Sequence, residues 1–368
     1  METGFTYNFS AIRGLQASKE YYIAMCPLKI IPKLFIFDEE ELPASHRAQR
    51  ILNKNRIPEI TNYIVEYRED YVFSSITASI DGNVSFIPLS EAPGKRDLGT
   101  LSISLDARFL INDGQHRRAA IEEALKIQPE LGEETISVVF YLDTGLNKAQ
   151  QMFSDLNRHA VNTTSSIGIL YNHRDKMSLV TKSLTEDIPF LRRYTDTERV
   201  SLSKNSPKII ALNHIFNTNL KLLGKKKGDP ITAGDEKYIK KFWSLLVETI
   251  VEWKMILTRE INPKELRMNY IIGHGVFLES MGIVGNYLRT FHPDDWQQYI
   301  KKLKTIDWAR SNENLWMGRA FSSNGRIQKN THTICLTSIQ IKKLLGLALT
   351  EQEEKTETSF QKGKGIYT

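Results

Sequence analysis

Apolar positions along the first 165 residues recur at two different periods. Leu101 to Ile111 alternate loosely, with Ile103, Leu105, Phe109 and Leu110, which predicts a half-buried strand. Ile136 to Leu142 is continuously apolar and predicts a strand buried on both faces. Val72 to Ile80 and Ile30 to Phe37 read as further strands, and Asp81-Gly82-Asn83 is a hairpin signal before Val84 to Ile87. Helical stretches lie between them. They run from Pro43 to Asn53, from Ile57 to Tyr67 behind the first-turn residue Pro58, and from Leu146 to Leu156. A fourth carries Ala120, Ile121, Ala124 and Leu125 on one face. The pattern predicts an α+β domain with a small mixed sheet over 1–164. A mostly helical domain follows over 165–350, and 351–368 is expected to be a mobile polar tail.

Charge sharpens that division. Residues 1–164 carry 17 Lys/Arg against 22 Asp/Glu, whereas residues 165–350 carry 29 against 17. A basic half joined to a mildly acidic half points to a polyanionic partner for the basic half, with lysine-rich solvated helix faces as the alternative. Only Cys26 and Cys335 are present, which fits a reducing cytoplasm rather than a disulfide framework. No apolar run reaches the length of a membrane span, and no Cys/His spacing fits zinc; no haem is expected either.

The candidate chemistry centres on Asn112-Asp113-Gly114-Gln115-His116-Arg117-Arg118. Asp113-Gly114 is a turn between a strand end and a helix that opens near Gln115. Cations in the first helical turn oppose the helix dipole unless they serve an anion. The other reading is an ordinary βα turn with Asp113 as N-cap. A second polar cluster runs from Phe153 to Thr164. There Asp155 and Asn157 offer oxygens to a hydrated divalent ion, and Arg158 and His159 offer phosphate donors.

The DGQHR string with its alanine-rich helix resembles the DGQHR-domain family. Met25-Cys26-Pro27-Leu28-Lys29, Arg47 to Asn53, Arg56 to Ile60 and Gln151 to His159 are similar to its DndB branch, associated with DNA phosphorothioate (sulfur) modification. The resemblance implies a core like that of ParB and sulfiredoxin, DNA binding, and control of the modification genes. It also implies that Asn157 and Arg158 face Asp113, Gly114, Gln115, His116 and Arg117 as a nucleotide or phosphate site, with ATP or CTP and Mg2+ as candidate cofactors. Gln115 stands where sulfiredoxin-like proteins carry the reactive cysteine, so sulfinic-acid reduction is not expected. No Walker A sequence is present.

DNA contacts are expected in the basic half. The candidates are Lys225, Lys226 and Lys227, then Arg310, Arg319, Arg326 and Lys329, and also Arg192 and Arg193. Cys26, near Lys29, is a candidate redox or sensing thiol, with a buried apolar role as the alternative. His274 between two glycines reads as close helix packing, and Cys335 as core. The expected function is a cytoplasmic, DNA-binding repressor of a phosphorothioate modification operon. Its partners would be duplex DNA at its own promoter, other phosphorothioation proteins and a second copy of itself. A nucleoside triphosphatase or DNA-processing enzyme is the alternative, and a scaffold a third reading.

Overall fold

Two long alternating strands start the fold. The computed structural model describes residues 5–35, 54–92, 94–142, 163–203 and 205–363. β1 (Thr6–Gln16) and β2 (Lys19–Pro27) form an antiparallel hairpin through Ala17 and Ser18, both at positive φ. Positive φ at both turn residues matches the right-handed strand twist. β3 (Ile76–Asp81), β4 (Val84–Pro88), β5 (Leu98–Ser104), β6 (Arg108–Asp113) and β7 (Thr135–Leu142) complete a sheet of order β4-β5-β1-β2-β7-β3-β6. Only the β3–β7 pairing is parallel among these strands.

The order contains a closure. Gly82 and Asn83 alone join β3 to β4, and Leu105 to Ala107 alone join β5 to β6. Yet β4 pairs with β5 at one end of the order and β3 with β6 at the other. The two pairs are halves of one bent hairpin, so the sheet curls until its ends meet. Its inner side holds Phe9, Ile76, Ile103, Val138 and Phe140, all buried. The Phe9 and Phe109 rings each lie 6.1 Å from Phe140.

Several sequence expectations change here. Leu101 to Ile111 is two strands with a corner between them, and Asp81-Gly82-Asn83 is the bend of the long hairpin rather than its tip. β7 buries alternate residues, Ile136, Val138 and Phe140, with its other face half-covered. Ile30 to Phe37 is not a strand as far as it is described. Leu28–Ile30 is a 3-10 turn and Ile31–Leu34 a short helix, α1, because Pro32 suits a first helical turn and cannot donate to a strand ladder. α2 (Ile57–Glu66) and α3 (Gln115–Ile127) form as the periodicity predicts, packing Ile64 against Ala120, Ile121 and Ala124. The stretches Pro43 to Asn53 and Leu146 to Leu156 fall outside the described residues.

The chain divides into two compact units, Met1–Val161 and Asn162–Thr368. The second is built from helices around Trp243, Trp253, Trp308 and Trp316, all fully buried. Thr232, Asn262 and Asn330 each close a capping box at a helix start.

The expected mobile tail is a helix, Glu351–Gly363. Its anchor is Glu357, which accepts from both terminal nitrogens of Arg319 at 2.7 and 2.6 Å, while Glu353 accepts from the buried Lys342 at 2.7 Å. Burial alone would raise the Glu357 pKa. Hydrogen bonds from Arg319, Lys343 and Gln361 outweigh it and hold the carboxyl at about 2. A depressed carboxylate stabilises fully above its ordinary value of 4.5 and loses that contribution as pH falls through about 2. The expected outcome is acid release of 351–363, read by amide exchange between those pH values. Glu357→Ala, which strands a buried guanidinium, should cost about 3–5 kcal/mol at neutral pH. An unchanged melting temperature would contradict this anchoring.

Candidate functional site

The DGQHR turn begins where β6 ends. Gly114 is the N-cap of α3 at φ +110°, and a Cβ there would sit 3.0 Å from the Ile76 side chain on β3. Glycine is therefore required both for the dihedral and for the approach. Asp113 is not the N-cap, contrary to the alternative reading, and the N-cap Gly114 offers no side chain to the first-turn N–H groups.

The two arginines of the motif explain their own position. Arg117 donates to Asp113 at 2.9 Å and to the Ser75 carbonyl at 2.7 Å, and also to the carbonyl and hydroxyl of Ser74. It ties the first turn of α3 to the segment leading into β3. Arg118 turns toward α1, donating to the carbonyls of Phe35 at 2.9 Å and Pro32 at 3.1 Å, and to Glu122. Those carbonyls lie at the C-terminal side of α1, where helix acceptors are otherwise orphaned. The guanidiniums thus leave the helix end and satisfy distant backbone.

Gln115 is buried, and its amide donates to the Ile111 carbonyl at 3.4 Å. Asn112, fully buried, donates to Ser79 Oγ at 2.7 Å. His116 is half-buried. Burial first, then the charge of Arg56, lowers its pKa against the opposing pull of Asp113. Arg56 is the residue the motif reading missed; it is exposed and comes from the turn before α2. Asp155, Asn157, Arg158 and His159 lie outside the described residues.

Cys26 is fully buried in β2, and burial pushes its thiol up to about 12. Such burial favours the apolar reading of Cys26 over the sensing one. Lys29, the expected activator, pairs with Glu133 at 2.7 Å. Cys335, read as core, is only partly buried, on the Thr331–Leu345 helix.

The basic candidates separate into paired and open cations. Lys225 is held by Asp235 at 2.6 Å, and the same carboxylate takes Arg289 at 2.8 Å. Arg319 is 2% exposed and committed to Glu357 and the Leu336 carbonyl, which removes it from any DNA surface. Lys329 pairs with the buried Glu279 at 2.9 Å. Lys226, Lys227 and Arg326 are exposed with no side-chain partner among the described residues. Arg192 and Arg193 are exposed on the Pro189–Tyr194 helix; Arg192 donates to the Glu186 carbonyl and Arg193 lies over Tyr194. Arg310 donates to the carbonyls of Arg267, Met268 and Gly325. Among the described residues no group of His, Cys, Asp and Glu could hold a metal, and no helix is long and apolar enough to cross a membrane.

A family model, DndB, described as DNA-sulfur modification-associated, matches residues 9–348. The chain belongs to the DndB family. No curated protein and no solved structure matches it. Family membership associates the chain with DNA sulfur modification. In this DndB-family chain Arg117 and Arg118 are load points of the fold. Arg117→Ala should therefore lower stability by about 2–3 kcal/mol, since a charged donor leaves carbonyls unsatisfied. Arg117→Lys should recover little of it, because a point charge cannot span the same acceptors. A melting temperature that holds or rises in Arg117→Ala would show instead an arginine kept for a ligand.

Proposed function

We propose that this chain is a DNA-binding regulator of a DNA sulfur modification operon, a repressor acting at its own promoter. One observation carries the reading: positive charge left uncompensated stands at the surface of the helical unit. Lys226, Lys227 and Arg326 are exposed without partners among the described residues, and Arg192 and Arg193 lack carboxylate partners there. Duplex DNA rewards such cations by releasing condensed counterions. Family membership supplies the biological setting, and the other modification proteins are the further partners of this reading.

A second reading rests on the first turn of α3. Its N-cap Gly114 offers no capping side chain, and Arg56 and His116 stand beside it, an arrangement that suits a phosphate of ATP or CTP with Mg2+. Phosphate release by the intact chain, lost in Arg56→Ala, would favour that enzymatic reading.

Salt titration of binding to the operon's promoter tests the main reading. The logarithm of affinity should fall by about 0.9 per logarithmic unit of salt for each phosphate neutralised. The double change Lys226→Glu, Lys227→Glu should flatten the slope by about 2. Lys225→Glu should instead lose stability, since it leaves Asp235 facing a like charge. A slope near zero for the intact chain would overturn the reading.

A further inference from the structure

The helical unit carries an open cavity of about 620 Å³ that no motif reading anticipated. Its cations are Arg267, Arg310, Arg326 and Lys329, and no carboxylate is among its described lining residues. Ile209, Met268 and Ile327 give it apolar walls. Elsewhere in this unit deeply buried cations meet a carboxylate, as Arg319 meets Glu357 and Lys342 meets Glu353. Here Arg310 gives three of its five N–H bonds to backbone carbonyls, which leave its charge without a carboxylate and its Nε–H without an acceptor among the described residues. Arg326 has no side-chain partner among the described residues. Glu279, behind Lys329, is shared with Lys221. Arg310 and Arg326 thus bring positive charge to a cavity with no carboxylate among its described lining residues, which favours a bound anion.

Two histidines and a helix end are arranged around that charge. The Gly275–Phe291 helix starts at the cavity with no side-chain cap on its N–H groups among the described residues. A Cβ on Gly275 would come within 2.8 Å of the His214 ring, so glycine lets that ring lie over the first turn. His214 makes no side-chain hydrogen bond among the described residues, although burial and the nearby Lys329 keep it neutral, with its pKa lowered to about 4. A neutral imidazole aimed into a cationic cavity offers an N–H to an incoming oxygen. His274 donates its Nε2–H to the Arg267 carbonyl at 2.8 Å, which fixes its tautomer. His274, read from sequence as close helix packing, is thus also part of the cavity wall.

We propose that this cavity binds a phosphorylated small molecule of nucleotide size. Its phosphate is held by Arg310 and Arg326 at the open end of the Gly275–Phe291 helix, beside His214, and its body lies against Ile209, Met268 and Ile327. The volume falls in the range of small-molecule sites, and guanidiniums at a helix N-terminus recognise phosphate through planar paired donors. This site is separate from the first turn of α3 and does not depend on the reading of the chain as a repressor. In that reading, though, it places a small-molecule input inside the DNA-binding unit.

Calorimetric titration of the intact chain with AMP, ADP, ATP, CTP and inorganic phosphate tests the proposal, with a 5′-phosphorylated oligonucleotide as the DNA arm. At least one nucleotide should bind. Arg326→Ala, an exposed change that should leave the melting temperature alone, should weaken it by about tenfold or more. Lys19→Ala and Lys95→Ala, exposed changes in the other unit, should leave that affinity unchanged. Three results would overturn the proposal: no nucleotide binding tighter than about 1 mM, binding lost in Arg56→Ala but kept in Arg326→Ala, or binding of the oligonucleotide alone. Promoter binding is a separate readout, so its loss with nucleotide binding intact would fault the repressor reading and leave this one standing.

Discussion

A guanidinium taken out of water must find acceptors, and that constraint sorts the cations of this chain. Where the acceptors are carboxylates or backbone carbonyls of the fold, the arginine is structure. Arg118 reaches Pro32 and Phe35, Arg117 reaches Ser74 and Ser75, and Arg319 reaches Glu357. These contacts join segments remote in sequence, so the βα turn, the short α1 helix and the C-terminal helix each rely on one buried charge. Removing a partner would leave that charge uncompensated, the costliest defect a core can carry.

The same rule marks what is left over. Lys226, Lys227 and Arg326 find no side-chain partner among the described residues. Such groups contribute little to stability and keep their attraction for an external anion. The exposed ones suit a polymer whose phosphates lie at the surface. Arg326, beside His214 and the start of the Gly275–Phe291 helix, also suits a compact ligand, because the cavity it lines is of small-molecule size with apolar walls. A regulator with both features would read DNA on one surface and a small molecule within the same unit.

Much of the architecture was legible because period reports burial. α2 and α3 appear where apolar residues recur at helical spacing, and the helical second half follows from the same signal. Pairing was not legible. The β1–β2 hairpin turns on Ala17 and Ser18, neither of them a turn signal, and the strand ending at Ile111 hides a corner because apolar spacing continues through Leu105 and Ala107. At the candidate site, the string DGQHR was visible, but its roles were not. The acceptors of Arg117 lie more than forty residues upstream, and Arg319 and Glu357 are brought together only by folding. Cys26 shows the same limit: its neighbour Lys29 in sequence points to Glu133 instead. Sequence counts charges, whereas function depends on which of them the fold leaves unpaired.

Lysine acylation of the intact chain, mapped by mass spectrometry with and without promoter duplex, tests this sorting most directly. Lys226 and Lys227 should react readily in the free chain and be protected by DNA. Lys342, buried against Glu353, should be slow in both states, and Lys19 and Lys95 in the acidic unit should be unaffected by DNA. Protection of Lys19 and Lys95, with Lys226 and Lys227 unchanged, would contradict the account.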